Sequence, residues 1–162
     1  MVEMKVHGLF FDQETNQSVV VLKEEATGRT LPIWVGLFEA NAITMGIEHT
    51  WTPRPMTHDL LKNVIEGMNA VVREITVSDL RSNTFYAVIS LEVGGKTVKI
   101  DSRPSDAIAL ALRTQSPIFV DEKVLESAGH AEPKDKDKKD SSDKWIDDLF
   151  DKLKPEDFKT EM

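Results

Sequence analysis

The 162-residue chain has no cysteine, which excludes disulfide staples, thiolate nucleophiles and cysteine-held zinc. Long apolar runs are missing as well: no stretch approaches the ~18 apolar residues of a membrane-spanning helix. The N-terminus, with acidic Glu3 and alternating apolar positions, resembles no secretory signal, so a cytoplasmic protein without a membrane partner is the expectation. Positive charge is in deficit. With 20 basic and 28 acidic residues, the formal net charge is −8, whereas holding nucleic acid by bulk counterion release needs a basic face. Any nucleic-acid contact must therefore be local. The acidity is spread along the chain: residues 1–129 carry 12 basic and 17 acidic side chains, residues 130–144 carry 5 and 5, and residues 145–162 carry 3 and 6.

Several catalytic signatures are absent too. There is no G-x-S-x-G elbow, P-loop or dinucleotide glycine pattern, and Ser102 and Ser105 have no histidine next to them in sequence. The four histidines, His7, His49, His58 and His130, show neither H-x-H nor H-x-x-x-H spacing, which argues against a histidine-rich metal site. Such lone histidines are more often structural.

What is present is a regular alternation of patterns. Strand periodicity fills residues 2–11, with Met4, Val6, Gly8 and Phe10 on one phase, then residues 18–22 around Val19, Val20 and Val21, then residues 31–35. A helix with a small apolar stripe follows from Gly36 to about His49. Residues 50–56 hold two prolines and must form a loop carrying Trp51 and Arg54. Thr57 is placed to cap a second helix, whose buried side would be Leu60, Leu61, Val64, Ile65 and Met68. Strands return with Val71, Arg73, Ile75 and Val77 alternating, then residues 84–93, then residues 96–101 after the Gly94-Gly95 turn. A helix begins near Pro104, a short strand covers residues 117–120, and a last short helix stops at Gly129. Three strands, two helices, three strands, helix, strand, helix is an α+β pattern: two meanders in an antiparallel or mixed sheet with flanking helices. One domain over residues 1–129 is expected.

Residues 130–144 lack any aliphatic larger than alanine and read as a charged, solvated linker. Beyond it, Trp145, Ile146, Leu149, Phe150 and Leu153 recur on one face of a short helix too small to fold alone. That tail would dock on its own domain, on a neighbouring subunit or on a partner.

The stretch Ile100 to Arg113 concentrates the chemistry. Ser102 is placed to cap the helix, Pro104 suits its first turn, and Asp106 sits near the positive end of its dipole, where backbone N–H groups and Arg103 would attract an anion. An Arg-Pro pair precedes an aspartate twice: Arg54-Pro55 before Asp59, and Arg103-Pro104 before Asp106. Convergence of the two openings would put two helix N-termini, two guanidinium groups and two carboxylates around one cleft. Ordinary capping explains the same residues without any ligand. The carboxylates Glu39, Asp59, Asp101 and Asp106 suit magnesium or manganese, and a carboxylate-held metal beside an arginine is common equipment for phosphodiester hydrolysis. Trp51, Phe85 and Tyr86 are candidates for base stacking, although aromatics more often serve a core or a subunit interface.

Four blocks, GRTLPIWVGLFEANAI from Gly28, RPMTHDLL from Arg54, TFYAVISL from Thr84 and IDSRPSDAIALALR from Ile100 followed by PIFV, resemble the bifunctional nuclease domain family in order and spacing. The resemblance covers about residues 2–128. It implies a compact, often oligomeric α+β domain to which DNase and RNase activity has been attributed. No settled catalytic set comes with it; the positions matching the family motifs are Glu39, Arg54, Thr57, His58, Asp59, Asp101, Ser102, Arg103, Ser105 and Asp106.

The leading expectation is a metal-assisted nuclease without strong sequence preference. Asp59, Asp101, Asp106 and Glu39 would hold a divalent ion; Arg54 and Arg103, with Thr57, Ser102 and Ser105, would grip phosphate; and His58 would act as general base or acid, imidazole being the side chain that ordinarily titrates nearest neutrality. The rival is a non-catalytic oligomeric module that binds a small anion or a protein. The acidic balance favours the rival, and the resemblance favours the nuclease.

Overall fold

The computed structural model describes residues 1–131; nearly all of the expected linker and the whole tail segment lie outside the described residues. The elements run β1 (Val2–Asp12), β2 (Gln17–Lys23), β3 (Thr30–Val35), α1 (Leu37–Ile47), α2 (Thr57–Gly67), β4 (Ala70–Arg81), β5 (Thr84–Val93), β6 (Lys96–Ser102), α3 (Pro104–Thr114), β7 (Ile118–Val120) and α4 (Glu122–Ala128). This is the order that the hydrophobic periodicity predicts.

All seven strands form one sheet in the order β3-β2-β1-β7-β4-β5-β6. Each meander is antiparallel within itself. They are joined by β7, three residues long, which pairs antiparallel with β1 and parallel with β4. So short a strand holds a central place because Ile118 and Val120 are both buried and their backbone is satisfied from two sides.

One core holds the inner sides of both meanders: Val20, Leu22, Leu31, Ile33, Ile75, Val77, Ala87 and Ile89 pack with Ala40 and Ile43 of α1, Ile108 and Leu110 of α3, and Val124 and Leu125 of α4. Helices α1 and α3 lie side by side. Gly46 permits their close approach, since a Cβ there would come within 3.0 Å of both Leu112 Cβ and Arg113 Nη1.

Four local expectations are corrected. In β1 the register shifts between Val6 and Gly8, so the phase of Met4 and Val6 passes to Leu9, which pairs with core residue Val20, while Gly8 and Phe10 turn outward. A bulge adds one residue and exchanges the faces beyond it. The same device between Val72 and Glu74 in β4 puts Val72 in the core and leaves Val71 exposed. Arg103, not Ser102, is the N-cap of α3, and Met56, not Thr57, that of α2. Neither cap is made by the expected hydroxyl: Ser102 Oγ donates to the Arg103 carbonyl, and the Asp59 carboxylate accepts the Met56 N–H instead. Lastly, α2 has no buried residue; Ile65 packs against the core, but Leu60, Leu61, Val64 and Met68 are exposed.

Candidate functional site

Three helix N-termini meet at one place, one more than the two Arg-Pro openings suggested. Glu39 is the third residue of α1, His58 the second of α2 and Asp106 the third of α3. Arg103 ties the first to the last: its Nη1 donates to Glu39 Oε1 at 3.0 Å and its Nε to Asp106 Oδ2 at 2.9 Å. The other Asp106 oxygen, Oδ1, lies 2.9 Å from His58 Nε2. The result is a continuous chain, Glu39–Arg103–Asp106–His58, drawn from residues 48 and 64 positions apart.

The local conformations explain the placement. Arg103 takes an extended backbone (φ −70°, ψ 144°), and Pro104 occupies the first helical position, where no N–H is needed. Carboxylates in the first turns of α1, α2 and α3 offset the partial positive charge of the converging helix ends. The hydrogen bond from His58 holds the Asp106 carboxyl at about 2, against an ordinary 3.8; burial works the other way, and Arg103 adds to the depression. The Arg103 guanidinium is pushed up in turn, chiefly by its bond to Asp106.

Asp59 belongs to a neighbouring network. Its Oδ1 accepts from Arg113 Nε at 2.8 Å, and Arg113, only 8% exposed, also donates to the carbonyls of Ala109 and Ala42. Burial alone would raise the Asp59 carboxyl; the Met56 N–H and Arg113 outweigh it, so its pKa is lowered. Sequence reasoning missed Arg113. It lies seven residues after Asp106, two helical turns along the same face of α3, and that spacing was the available signal.

The remaining expected residues stand apart. Arg54 and Thr57 are exposed, with no ion pair for Arg54 among the described residues. Asp101 is exposed on the edge strand β6, and Ser105 is buried in the first turn of α3. Phe85 belongs to the core, Tyr86 carries Arg81 over its ring 5.0 Å from the centroid, and Trp51 is 81% exposed.

Among the described residues no group of three or more Asp, Glu or His side chains is arranged to hold a metal ion. Arg103 and Arg113 stand where a cation would neutralise the carboxylates, so the residues do not fit a caged ion. One oxygen points the other way: Glu39 Oε2 is buried and, among the described residues, has no hydrogen-bond partner. A groove of about 530 Å³ opens at the opposite ends of α1 and α3, beside Lys5, Gly46, His49 and Gln115. It contains none of the expected site residues; Glu39, His58, Arg103 and Asp106 gather instead at the converging helix starts. Among the described residues no helix is long and apolar enough to cross a membrane.

The chain is similar to known proteins along most of its length. A family model described as "Bifunctional nuclease domain" matches residues 20–133. A Mycobacterium tuberculosis protein named "Uncharacterized protein Rv1829" is 37% identical over 166 residues, spanning 98% of this chain and 99% of its own. "Bifunctional nuclease 2" of Arabidopsis thaliana is 33% identical over 116 residues, spanning 69% of this chain but 35% of its own. "Bifunctional nuclease 1" of Oryza sativa subsp. indica is 26% identical over 121 residues, 73% of this chain and 37% of its own. The matched region takes in all three converging helix starts, and this chain belongs to the bifunctional nuclease domain family.

Proposed function

We propose that the chain is a nuclease that hydrolyses phosphodiester bonds of DNA, RNA or both at the junction of α1, α2 and α3. The observation carrying this reading is the convergence of three helix N-termini on His58, Asp106 and Arg103, which sets a histidine hydrogen-bonded to a carboxylate beside a half-exposed guanidinium able to hold a phosphate oxygen. The names of the plant relatives support the same reaction class.

In this reading Asp106 accepts the Nε2 proton of His58 and thereby leaves Nδ1 as the acceptor. Nδ1 takes a proton from water as the water oxygen bonds to phosphorus and the bond to the leaving oxygen breaks, the leaving oxygen receiving its proton from solvent. Arg103, half exposed, uses its remaining amine to hold a non-bridging phosphate oxygen. Arg54 adds a second, more mobile contact. A magnesium or manganese ion is proposed only as one that arrives with the substrate and keeps its waters, because Glu39, Asp106 and Asp59 are engaged by Arg103 and Arg113 and do not cage it. When bound, such an ion would supply charge neutralisation at the phosphate. Thr57, Ser102, Asp59 and Asp101 take no direct role in this scheme.

The ion-paired state of Glu39, Asp59 and Asp106 favours a second reading, a module that binds a small anion without chemistry. Purified protein and its His58→Ala, Asp106→Asn and Arg103→Met variants, incubated with single- and double-stranded substrates in magnesium, manganese or chelator, decide between them. The nuclease reading expects a loss of about 100-fold or more on removing His58. Unchanged cleavage in both His58→Ala and Asp106→Asn overturns it.

The same reading includes a homo-oligomer. Leu60, Leu61, Val64 and Met68 on α2, with Leu37, Phe38, Trp51 and Met56 at or before the helix starts, form more exposed apolar surface than isolated surface residues explain. A second copy of the chain is the proposed cover.

A further inference from the structure

The outer side of the first meander is closed off from water although it is not part of the core. Pairing across the three strands aligns Phe10 with Val19 and Val19 with Trp34, and Gly8 with Val21 and Val21 with Pro32. All five side chains point away from the row of Leu9, Val20 and Ile33 that faces the helices. Yet Val19 is 1% exposed, Val21 0% and Trp34 3%. None of the three belongs to the core, whereas Ala40 and Ile43 of α1, Ile108 and Leu110 of α3, and Val124 and Leu125 of α4 all do. Phe10 is folded back over Gly8, and β3 is the edge strand of the sheet, where among the described residues only His130, bridged to Thr30, stands on its far side.

We propose that this outer face is the docking site of the chain's own C-terminal segment, through Trp145, Ile146, Leu149, Phe150 and Leu153. The described part of the chain ends beside it: His130 bridges to Thr30, the first residue of β3, with both backbone hydrogen bonds at 2.8 Å. Residues 132–144 have a flexible-coil span of roughly 20 Å, against about 13 Å from Thr30 to Trp34 along the strand. The tail's apolar positions recur at i, i+1, i+4, i+5 and i+8, which makes a single helical stripe of the width needed to cover two strands. Its opposite side carries Asp147, Asp148, Asp151 and Lys152, suited to water. Within the pairwise match to the mycobacterial protein, 98% of the chain is covered, so the shared span passes well beyond residue 133, where the family match ends. The exposed side of α2 is the competing seat, but its residues are open to water while the β2–β3 row is closed.

The test uses the full chain, and the lack of native cysteine makes it clean. A nitroxide attached at Asp148→Cys is expected to erase amide signals of β2, β3 and the Gly8 to Phe11 part of β1 while sparing α2, and to do so independently of protein concentration. Adding Leu149→Asp and Phe150→Asp is expected to restore those signals, with the shifts of α3 unchanged to show that the domain is still folded. Signal loss centred on α2, loss seen only when labelled and unlabelled molecules are mixed, or no localised loss at all would each overturn the proposal.

Discussion

Asp106 is the residue on which the site turns, because it accepts from both His58 and Arg103 and is the one acid in α3. Its depressed pKa makes a pH prediction with a definite sign. A carboxylate that titrates at about 2 when folded and near 3.8 when unfolded contributes fully above the unfolded value and loses that contribution as pH falls through the folded one. The stability advantage of the wild type over Asp106→Asn is therefore expected to shrink by about 1–2 kcal/mol between neutral pH and pH ~2, as read by urea unfolding at a series of pH values. A difference that stays flat over that window removes the ion pair from the account. The sequence made Asp106, Arg103, His58 and Glu39 visible as residues worth watching, through capping patterns and the family resemblance. It did not show their pairing, since Glu39 and His58 reach α3 through tertiary packing that no local pattern encodes. The matching Arg-Pro contexts of Arg54 and Arg103 hid a difference: Arg54 lies in a loop, whereas Arg103 is fixed at a helix start by two carboxylates.

At the scale of elements, order and type were legible because each segment keeps one period for most of its length. Faces were less so. One register shift in β1 and two in β4 each reverse the side to which alternate residues point, and a bulge in these strands leaves no mark in a pattern of apolar letters. The apolar side of α2 misled differently: its periodicity is sound, but among the described residues its apolar side stays exposed apart from Ile65. Leu60→Glu together with Val64→Glu is accordingly expected to leave the monomer fold within about 0.5 kcal/mol of wild type while shifting sedimentation from an oligomer to a monomer. A wild type that sediments as a monomer at high concentration would dismiss the oligomer. The contact of α1 with α3 gives the opposite kind of prediction. Gly46→Ala places a methyl 3.0 Å from Leu112 Cβ and from the Arg113 guanidinium, so Arg113 must move off Asp59 or the helices must part. The expected cost is about 1–3 kcal/mol, measured by thermal or urea denaturation, with a weaker effect in an Arg113→Met background where the crowding group is gone.

The whole molecule sets a limit on how substrate can be held. With a net charge of −8 and the basic side chains Arg29, Arg73, Arg81 and Arg113 already committed to carboxylates, the described domain has no broad positive surface to lay along a nucleic-acid backbone. In the proposed nuclease reading, binding comes from the helix junction, with Arg103 as one phosphate contact and exposed Arg54, in the loop before α2, as the proposed second. For a single strand each neutralised phosphate contributes roughly −0.7 to the slope of log K against log salt, which predicts a slope near −1.4. Titration of a labelled oligonucleotide with the catalytically silenced His58→Ala chain over a range of salt concentrations reads this directly. Removing Arg103 is expected to bring the slope about half-way to zero, and removing Lys96, at the end of edge strand β6 away from Arg103, to leave it unchanged. A slope several times steeper, or one that responds to Lys96 as strongly as to Arg103, would mean that nucleic acid is held by a surface other than the junction of the three helices, and the assignment of His58 and Asp106 to its cleavage would fall with it.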